Sequence, residues 1–313
     1  MNETRFIQEA LGDPGFSWNY TSLAALAGLQ APDNVLGRRQ SLLRADINEQ
    51  WARWFVESLA DPRRYAATNS SYPHLFNEVF QVVDQRFTTF TRQEKQKLAS
   101  TAARILQQGV TAFQSERRRQ QISGAEKSLL IDLAGNPPRC WICGGQFTEE
   151  AIDNFIRRER REIPLPMLID ILKPRGLKQR DLSIEIDHVV PHAQGGTNED
   201  NLKLACGWCN RHKSNFTSIY DVDGRPSLTG SNSLGIKSIP QPFWTVRLLA
   251  VGRCCEHQDG CGVSADYDAV TIAPIVNGGA MNPSNLRVTC YAHDPLREVR
   301  FQPKSIVMQI WGV

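Results

Sequence analysis

The stretch Ile184-Glu-Ile-Asp187-His188-Val-Val-Pro191, continued by Gly195-Gly196, Asn201-Leu-Lys-Leu204 and Cys206-Gly-Trp-Cys209-Asn210-Arg-His-Lys213, decides the fold of this chain. Ile184, Ile186 and His188 alternate as residues of a strand do. The glycine pair reads as a loop, Leu202 and Leu204 as a returning strand, and the residues after Cys209 as a helix. A strand, a loop, a second strand and a helix are therefore expected in that order.

Cys206-Gly-Trp-Cys209 has a counterpart upstream in Cys140-Trp-Ile-Cys143. Each pair offers two thiolates from one tight turn, and four thiolates close the tetrahedral shell that zinc prefers, leaving no position for water. Such a zinc is structural, and it draws the intervening segment against the second pair. All eight cysteines and five of the six histidines lie between positions 140 and 293. In a reducing compartment that clustering reads as metal binding rather than disulfides. The opening MNETRFIQEALG lacks the apolar stretch of a signal peptide. No apolar run approaches the roughly 18 residues of a membrane span. A cytoplasmic protein with reduced thiols and no membrane partner is expected.

The Asp187-His188 pair, the mid-loop Asn201, Asn210 directly after the last cysteine and Lys213 three residues on resemble the ββα-metal core of HNH endonucleases of the zinc-stapled, restriction-enzyme-like branch. The resemblance spans residues 139–216. It implies that Asn201 braces the loop and orients the general base. It also implies that Asn210, at the third motif position, is the second protein ligand of a catalytic metal, an H-N-N rather than an H-N-H arrangement.

The residues carry the same chemistry by themselves. Cleaving a phosphodiester needs an activated water and a stabilised leaving oxygen. Neutral His188 takes a proton near pH 7, its unperturbed pKa being about 6.5. In a regular strand Asp187 points to the side opposite His188; if the strand ends there, Asp187 holds a hard divalent ion such as Mg2+ while His188 faces the water. His212 is the rival ligand, because histidine normally binds transition metals better than asparagine. On a helix beginning near Cys209, positions 210 and 213 share a face and 212 lies roughly 200° from 210, which favours Asn210. Arg211 or Lys213 is expected near the phosphate. His192 is read as solvated or touching phosphate, not as a ligand.

Between Cys143 and the first strand, Arg157, Arg158, Arg160, Arg161, Lys173, Arg175, Lys178 and Arg180 stand against Glu159, Glu162 and Asp170. This segment either neutralises phosphates, making binding strongly salt-dependent, or forms a solvated face. The whole-chain net charge of +3 is too mild to decide between them.

The first 139 residues hold no cysteine and read as helical. Leu43, Ile47, Trp51, Trp54, Phe55 and Leu59 form an apolar stripe at three- and four-residue steps. Thr91 with Glu94 is a capping-box signature, opening a helix whose stripe continues through Leu98, Ala102, Ile105 and Phe113. That helix ends in Ser115-Glu-Arg-Arg-Arg-Gln120, a solvated helix end or a phosphate contact. Gly135-Asn-Pro-Pro138 then breaks the helical region, and the polar, turn-rich residues 221–242 form a second link.

Beyond that link the motif order returns: Thr271-Ile-Ala-Pro-Ile-Val276, Gly278-Gly279, Asn285-Leu-Arg-Val288 and Cys290-Tyr-Ala-His293. Ala273 and Pro274 stand where Asp187 and His188 stand, or Val270 and Thr271 do if the prolines are aligned. Either way this copy lacks base and carboxylate. Cys290 and His293 are expected to give half of a second zinc site. For the other half, Cys254 with His257 reproduces the CxxC spacing. Cys255 with Cys261 offers two thiolates and a following glycine, as in Cys143-Gly144, and is favoured.

The expected architecture is α+β. A helical N-terminal domain, 1–134, serves recognition, assembly or partner binding. A ββα-metal HNH nuclease domain with a four-cysteine zinc occupies 135–220, and a degenerate HNH-like zinc-binding domain occupies 241–313. The expected function is metal-dependent hydrolysis of DNA phosphodiesters in bacterial restriction or anti-phage defence. Zn2+ is structural, Mg2+ or a similar ion catalytic, DNA the partner, and a homodimer or larger defence complex the assembly. The alternative is a non-catalytic, zinc-containing nucleic-acid-binding subunit of a larger complex.

Overall fold

In the computed structural model, described for residues 2–11, 20–68, 70–115, 122–157, 160–189, 201–229, 234–258 and 260–312, two apolar cores form, one helical and one cysteine-rich. The N-terminal region contains α1 (Glu3–Leu11), α2 (Tyr20–Ala27), α3 (Asp33–Leu36), α4 (Gln40–Leu59), α5 (Pro62–Ala66), α6 (Tyr72–Arg86) and α7 (Arg92–Ser115). A capping box opens α7: the Thr91 N–H donates to the Glu94 carboxylate at 2.8 Å, and the Glu94 N–H donates to the Thr91 hydroxyl at 3.3 Å.

The buried face of α7 is not the expected one. Ala99, Ala102, Ala103, Leu106 and Val110 pack with Leu75, Val79 and Val83 of α6, whereas Ile105 is 43% exposed. The two phases share Ala102 and the partly buried Leu98, and the alanine-rich face prevails because small side chains let helices approach closely and pack without voids. On α4, likewise, Leu59 is buried and Phe55 and Val56 partly so, while Trp51 and Trp54 stay 59% and 58% exposed. Most of the arginine run, 116–121, lies outside the described residues.

Helix α4 joins the two cores. Its last turn enters the helical core, and Leu42 and Leu43 near its start pack on the other. Between them Asp46, 1% exposed, accepts hydrogen bonds from the Ile219 N–H at 2.6 Å and from Arg247 at 2.8 Å. A buried carboxylate is tolerable only with such charge-assisted partners.

The cysteine-rich core is built from α8 (Gly124–Leu133), α9 (Glu149–Arg157), β1 (Ile169–Asp170), α10 (Gln179–Leu182), β2 (Ile184–His188), β3 (Leu202–Cys206), α11 (Gly207–Lys213), β4 (Leu228–Thr229), β5 (Ser238–Ile239), α12 (Pro242–Gly252), β6 (Val270–Pro274), β7 (Leu286–Cys290), β8 (Phe301–Gln302) and α13 (Lys304–Trp311). Among the described residues the strands pair in twos: β1 with β8, β2 with β3, β4 with β5 and β6 with β7. Ile184 lies opposite Cys206 and His188 opposite Leu202; in the later pair Val270 lies opposite Cys290 and Pro274 opposite Leu286.

Residues of 135–220 and 241–313 share this core, which runs from Cys140 to Trp311. The buried Arg300 donates to Asp170 and Asp294 at 3.1 and 2.8 Å and to the Ile272 carbonyl at 3.0 Å. The Trp311 indole N–H donates to the Ile171 carbonyl at 2.8 Å. Helix α8, grouped by sequence with the N-terminal part, rests on α9 and β3, because Leu130 and Ile131 find their apolar partners there. Residues 221–242 are more than a polar link: Ile236 and Ile239 are both 4% exposed and belong to the core. No described helix is long and apolar enough to cross a membrane.

Candidate active site and metal centres

Helix α11 begins on Gly207 because nothing larger fits: a Cβ there would stand 1.9 Å from the Arg180 carbonyl oxygen. From that start Asn210 and Lys213, three residues apart, share the face turned toward β2. The Asn210 amide nitrogen donates to Glu185 at 2.7 Å. Lys213 Nζ donates to Asp187 Oδ1 at 2.8 Å and to the His188 carbonyl at 2.5 Å. His212 points elsewhere. Its ring lies 4.7 Å from that of Trp208, over which Lys173 Nζ sits at 4.0 Å. Burial, helped by the Arg211 charge, pushes the His212 pKa down to about 4, so the ring is neutral at pH 7.

Asp187 is 4% exposed, and its second carboxylate oxygen accepts the Trp141 indole N–H at 2.9 Å. Burial raises its pKa, and the Lys213 charge and the two hydrogen bonds work against that rise. Strand β2 ends on the half-buried His188. The next N–H, of Val189, donates to the Asn201 carbonyl at 2.8 Å, so His188 and Asn201 flank one end of the strand pair. Residues 190–200, including Pro191, His192, Gly195 and Gly196, lie outside the described residues.

The basic residues are placed differently from the sequence expectation. Lys213, expected near a phosphate, is turned inward, because the helix step that aligns it with Asn210 carries it onto the buried carboxylate. Arg211 pairs with Asp181, which is 3% exposed. Arg157 lies 3.7 Å from Asp153, which also pairs with Arg161, and Arg180 lies 3.4 Å from Glu185. Lys173 sits on the His212 side of α11, away from Asp187, and Arg175 is exposed. Arg158 lies outside the described residues. Part of the segment's charge is thus met within the protein.

Two side chains at the site escape sequence reasoning. Trp141 is marked only by its place between two cysteines. Glu185 is marked only by standing two residues before Asp187, on the same strand face.

Among the described residues, two clusters gather metal-ligating atoms within 4.8 Å of one another: Cys140, Cys143, Cys206 and Cys209, and Cys255, Cys261, Cys290 and His293. In the first, burial pushes the Cys140 thiol up, while hydrogen bonds from Cys140 and its neighbours pull Cys143 down. Both sets have the chemistry of a zinc site. Cys254 is exposed and outside the second cluster, and the His257 ring stacks on His293 with centroids 3.9 Å apart. At the β2–α11 face the oxygen donors of Asp187 and Asn210 suit a hard divalent ion. The bond from its amide nitrogen to Glu185 leaves the Asn210 amide oxygen as the atom on offer.

Residues 176–216 match the family model described as HNH endonuclease. That span contains β2, β3 and α11, so the chain carries an HNH endonuclease domain there. No curated protein and no solved structure matches the chain significantly. An HNH domain points to metal-dependent nuclease activity in general.

Proposed function

We propose that the protein is an endonuclease that hydrolyses phosphodiester bonds of DNA at the His188 end of the β2–β3 pair. One observation carries the reading: within the span that matches the HNH family, a buried Asp187 adjoins His188 at the end of β2, and Asn210 is oriented by Glu185 on the facing strand.

His188 takes a proton from the attacking water. The water oxygen bonds to phosphorus as the P–O3′ bond breaks, leaving a 5′-phosphate and a 3′ oxygen that takes a proton from solvent. The Asn201 carbonyl, by accepting the Val189 N–H, steadies the backbone just beyond His188. Asp187 and the Asn210 amide oxygen would hold Mg2+ or a similar ion, which when bound supplies charge stabilisation for the leaving oxygen. The Lys213 charge favours the ionised form of Asp187 against the effect of its burial. Cys140, Cys143, Cys206 and Cys209 would bind a structural zinc, which fixes Trp141 and the start of α11. One such centre cuts one strand, so the expected product is a nick.

The test is a plasmid-nicking assay with Mg2+ or Mn2+. His188→Ala should lower the rate at least ~10²-fold while DNA affinity and zinc content stay as in the parent, since the ring acts in the transition state. An active variant would remove His188 from the role of base. Tight DNA binding by the parent without nicking in any divalent metal would favour the non-catalytic nucleic-acid-binding reading.

A further inference from the structure

The second cluster has the dimensions of an assembled zinc site. A tetrahedron with Zn–S bonds of roughly 2.3 Å and Zn–N bonds of roughly 2.0–2.1 Å has S···S edges of about 3.8 Å and S···N edges of about 3.6 Å. Cys261 Sγ lies 3.9 Å from Cys290 Sγ. His293 Nδ1 lies 3.7 Å from Cys255 Sγ and 3.4 Å from Cys290 Sγ.

The backbone around it repeats the first knuckle residue by residue. The Cys140 N–H donates to the Gly145 carbonyl, and the Cys255 N–H to the Val263 carbonyl, both at 2.9 Å. The Trp141 N–H donates to Leu204 on β3, and the Glu256 N–H to Val288 on β7, again both at 2.9 Å. The glycines after the second ligands, Gly144 and Gly262, share a φ of 70°, the left-handed turn that wraps a knuckle around its metal. Five residues separate Cys255 from Cys261, against two between Cys140 and Cys143.

The position equivalent to Trp141 is Glu256, and two of its partners, Arg38 and Arg39, lie in the N-terminal region. Its carboxylate accepts Arg39 Nη1 and Nη2 at 2.8 and 2.5 Å and the Val288 N–H at 2.7 Å. Its carbonyl accepts Arg38 at 2.5 Å, and Arg39 also reaches the Leu286 carbonyl at 2.8 Å. Arg38 and Arg39 sit in the 3-10 turn directly before α4, the helix that enters both cores. Arg39 is 6% exposed. Residues adjoining the metal ligands therefore bury a guanidinium from the root of α4.

We propose that Cys255, Cys261, Cys290 and His293 bind a second structural zinc ion, and that this ion, by fixing Glu256, seats Arg38 and Arg39 and so fastens the helical region to the nuclease half. Zinc uptake displaces the thiol protons and leaves a centre of three thiolates and one neutral imidazole with a single negative charge, favourable beside a buried arginine. The inference does not depend on the nuclease reading.

The full-length protein should carry about two zinc ions per chain by elemental analysis, one for each four-ligand site. Cys261→Ser should lose one of them. Amide exchange across 38–59 should then rise ~10-fold or more, as a locally loosened segment does. His293→Cys, which replaces one zinc ligand by another, should keep both ions and the parent exchange. Arg39→Ala should keep both ions yet show the faster exchange. One zinc per chain in the parent, or two in Cys261→Ser, would overturn the site. Loss of one ion with exchange across 38–59 unchanged would overturn the fastening.

Discussion

Lys213 Nζ lies 2.8 Å from Asp187 Oδ1, and the two side chains are only 10% and 4% exposed. Removing one member of such a pair leaves a buried charge without compensation, at a cost of about 3–5 kcal/mol. Lys213→Met should show that loss in urea denaturation. A divalent ion held by Asp187 would replace part of the missing charge, so Mn2+ should raise the midpoint of the variant more than that of the parent. A variant as stable as the parent would mean that the pair contributes nothing net. A destabilised variant indifferent to Mn2+ would count against Asp187 as a metal ligand.

The bond from Asn210 to Glu185, and the separation of both from His212, rank two substitutions. Asn210→Ala should slow nicking far more than His212→Ala, with a gap above ~10-fold, at least the effect of losing an orienting partner at a metal site. Equal rates would dissociate the β2-facing side of α11 from catalysis, and the reverse order would move the metal to the Trp208 side.

The side of α11 that faces β2 was legible in the sequence because helix periodicity and two fixed CxxC pairs leave little freedom between Cys206 and Lys213. Strands β2 and β3 were legible for a similar reason, since Ile184, Ile186, Leu202 and Leu204 alternate on either side of the sequence pair Gly195-Gly196. The partners of Trp141 and Glu185 were not, because their contacts join residues 46 and 25 positions apart and carry no local pattern. Strands β1 and β8, two residues each, are too short to show a period. On α7 the apolar spacing fits two phases, and only the facing surface of α6 selects the alanine-rich one.

His212 gives a pH signature. Its folded pKa of about 4 lies below the unperturbed value of about 6.5. Between these values the unfolded chain binds the extra proton, so stability rises with pH there and falls as the solution is acidified from about 6.5 to about 4. The ring keeps some contact with water, which limits the loss to about 1–2 kcal/mol. His212→Gln should lack this slope, and zinc release in acid, common to both proteins, cancels in the comparison. Parallel stability curves, or a His212 resonance titrating near 6.5, would contradict the burial argument.

The pairing of β1 with β8, closed by Arg300 on Asp170, sets an order of events during synthesis. A chain made from its N-terminus releases the whole HNH span, 176–216, before residues 300–302 exist. Contacts so distant in sequence close late and slowly. On the ribosome the HNH span is thus complete in sequence well before β1 and Asp170 find their partners, and a chain paused between the two stages carries Asp187 and His188 on a core that still lacks β8 and Arg300.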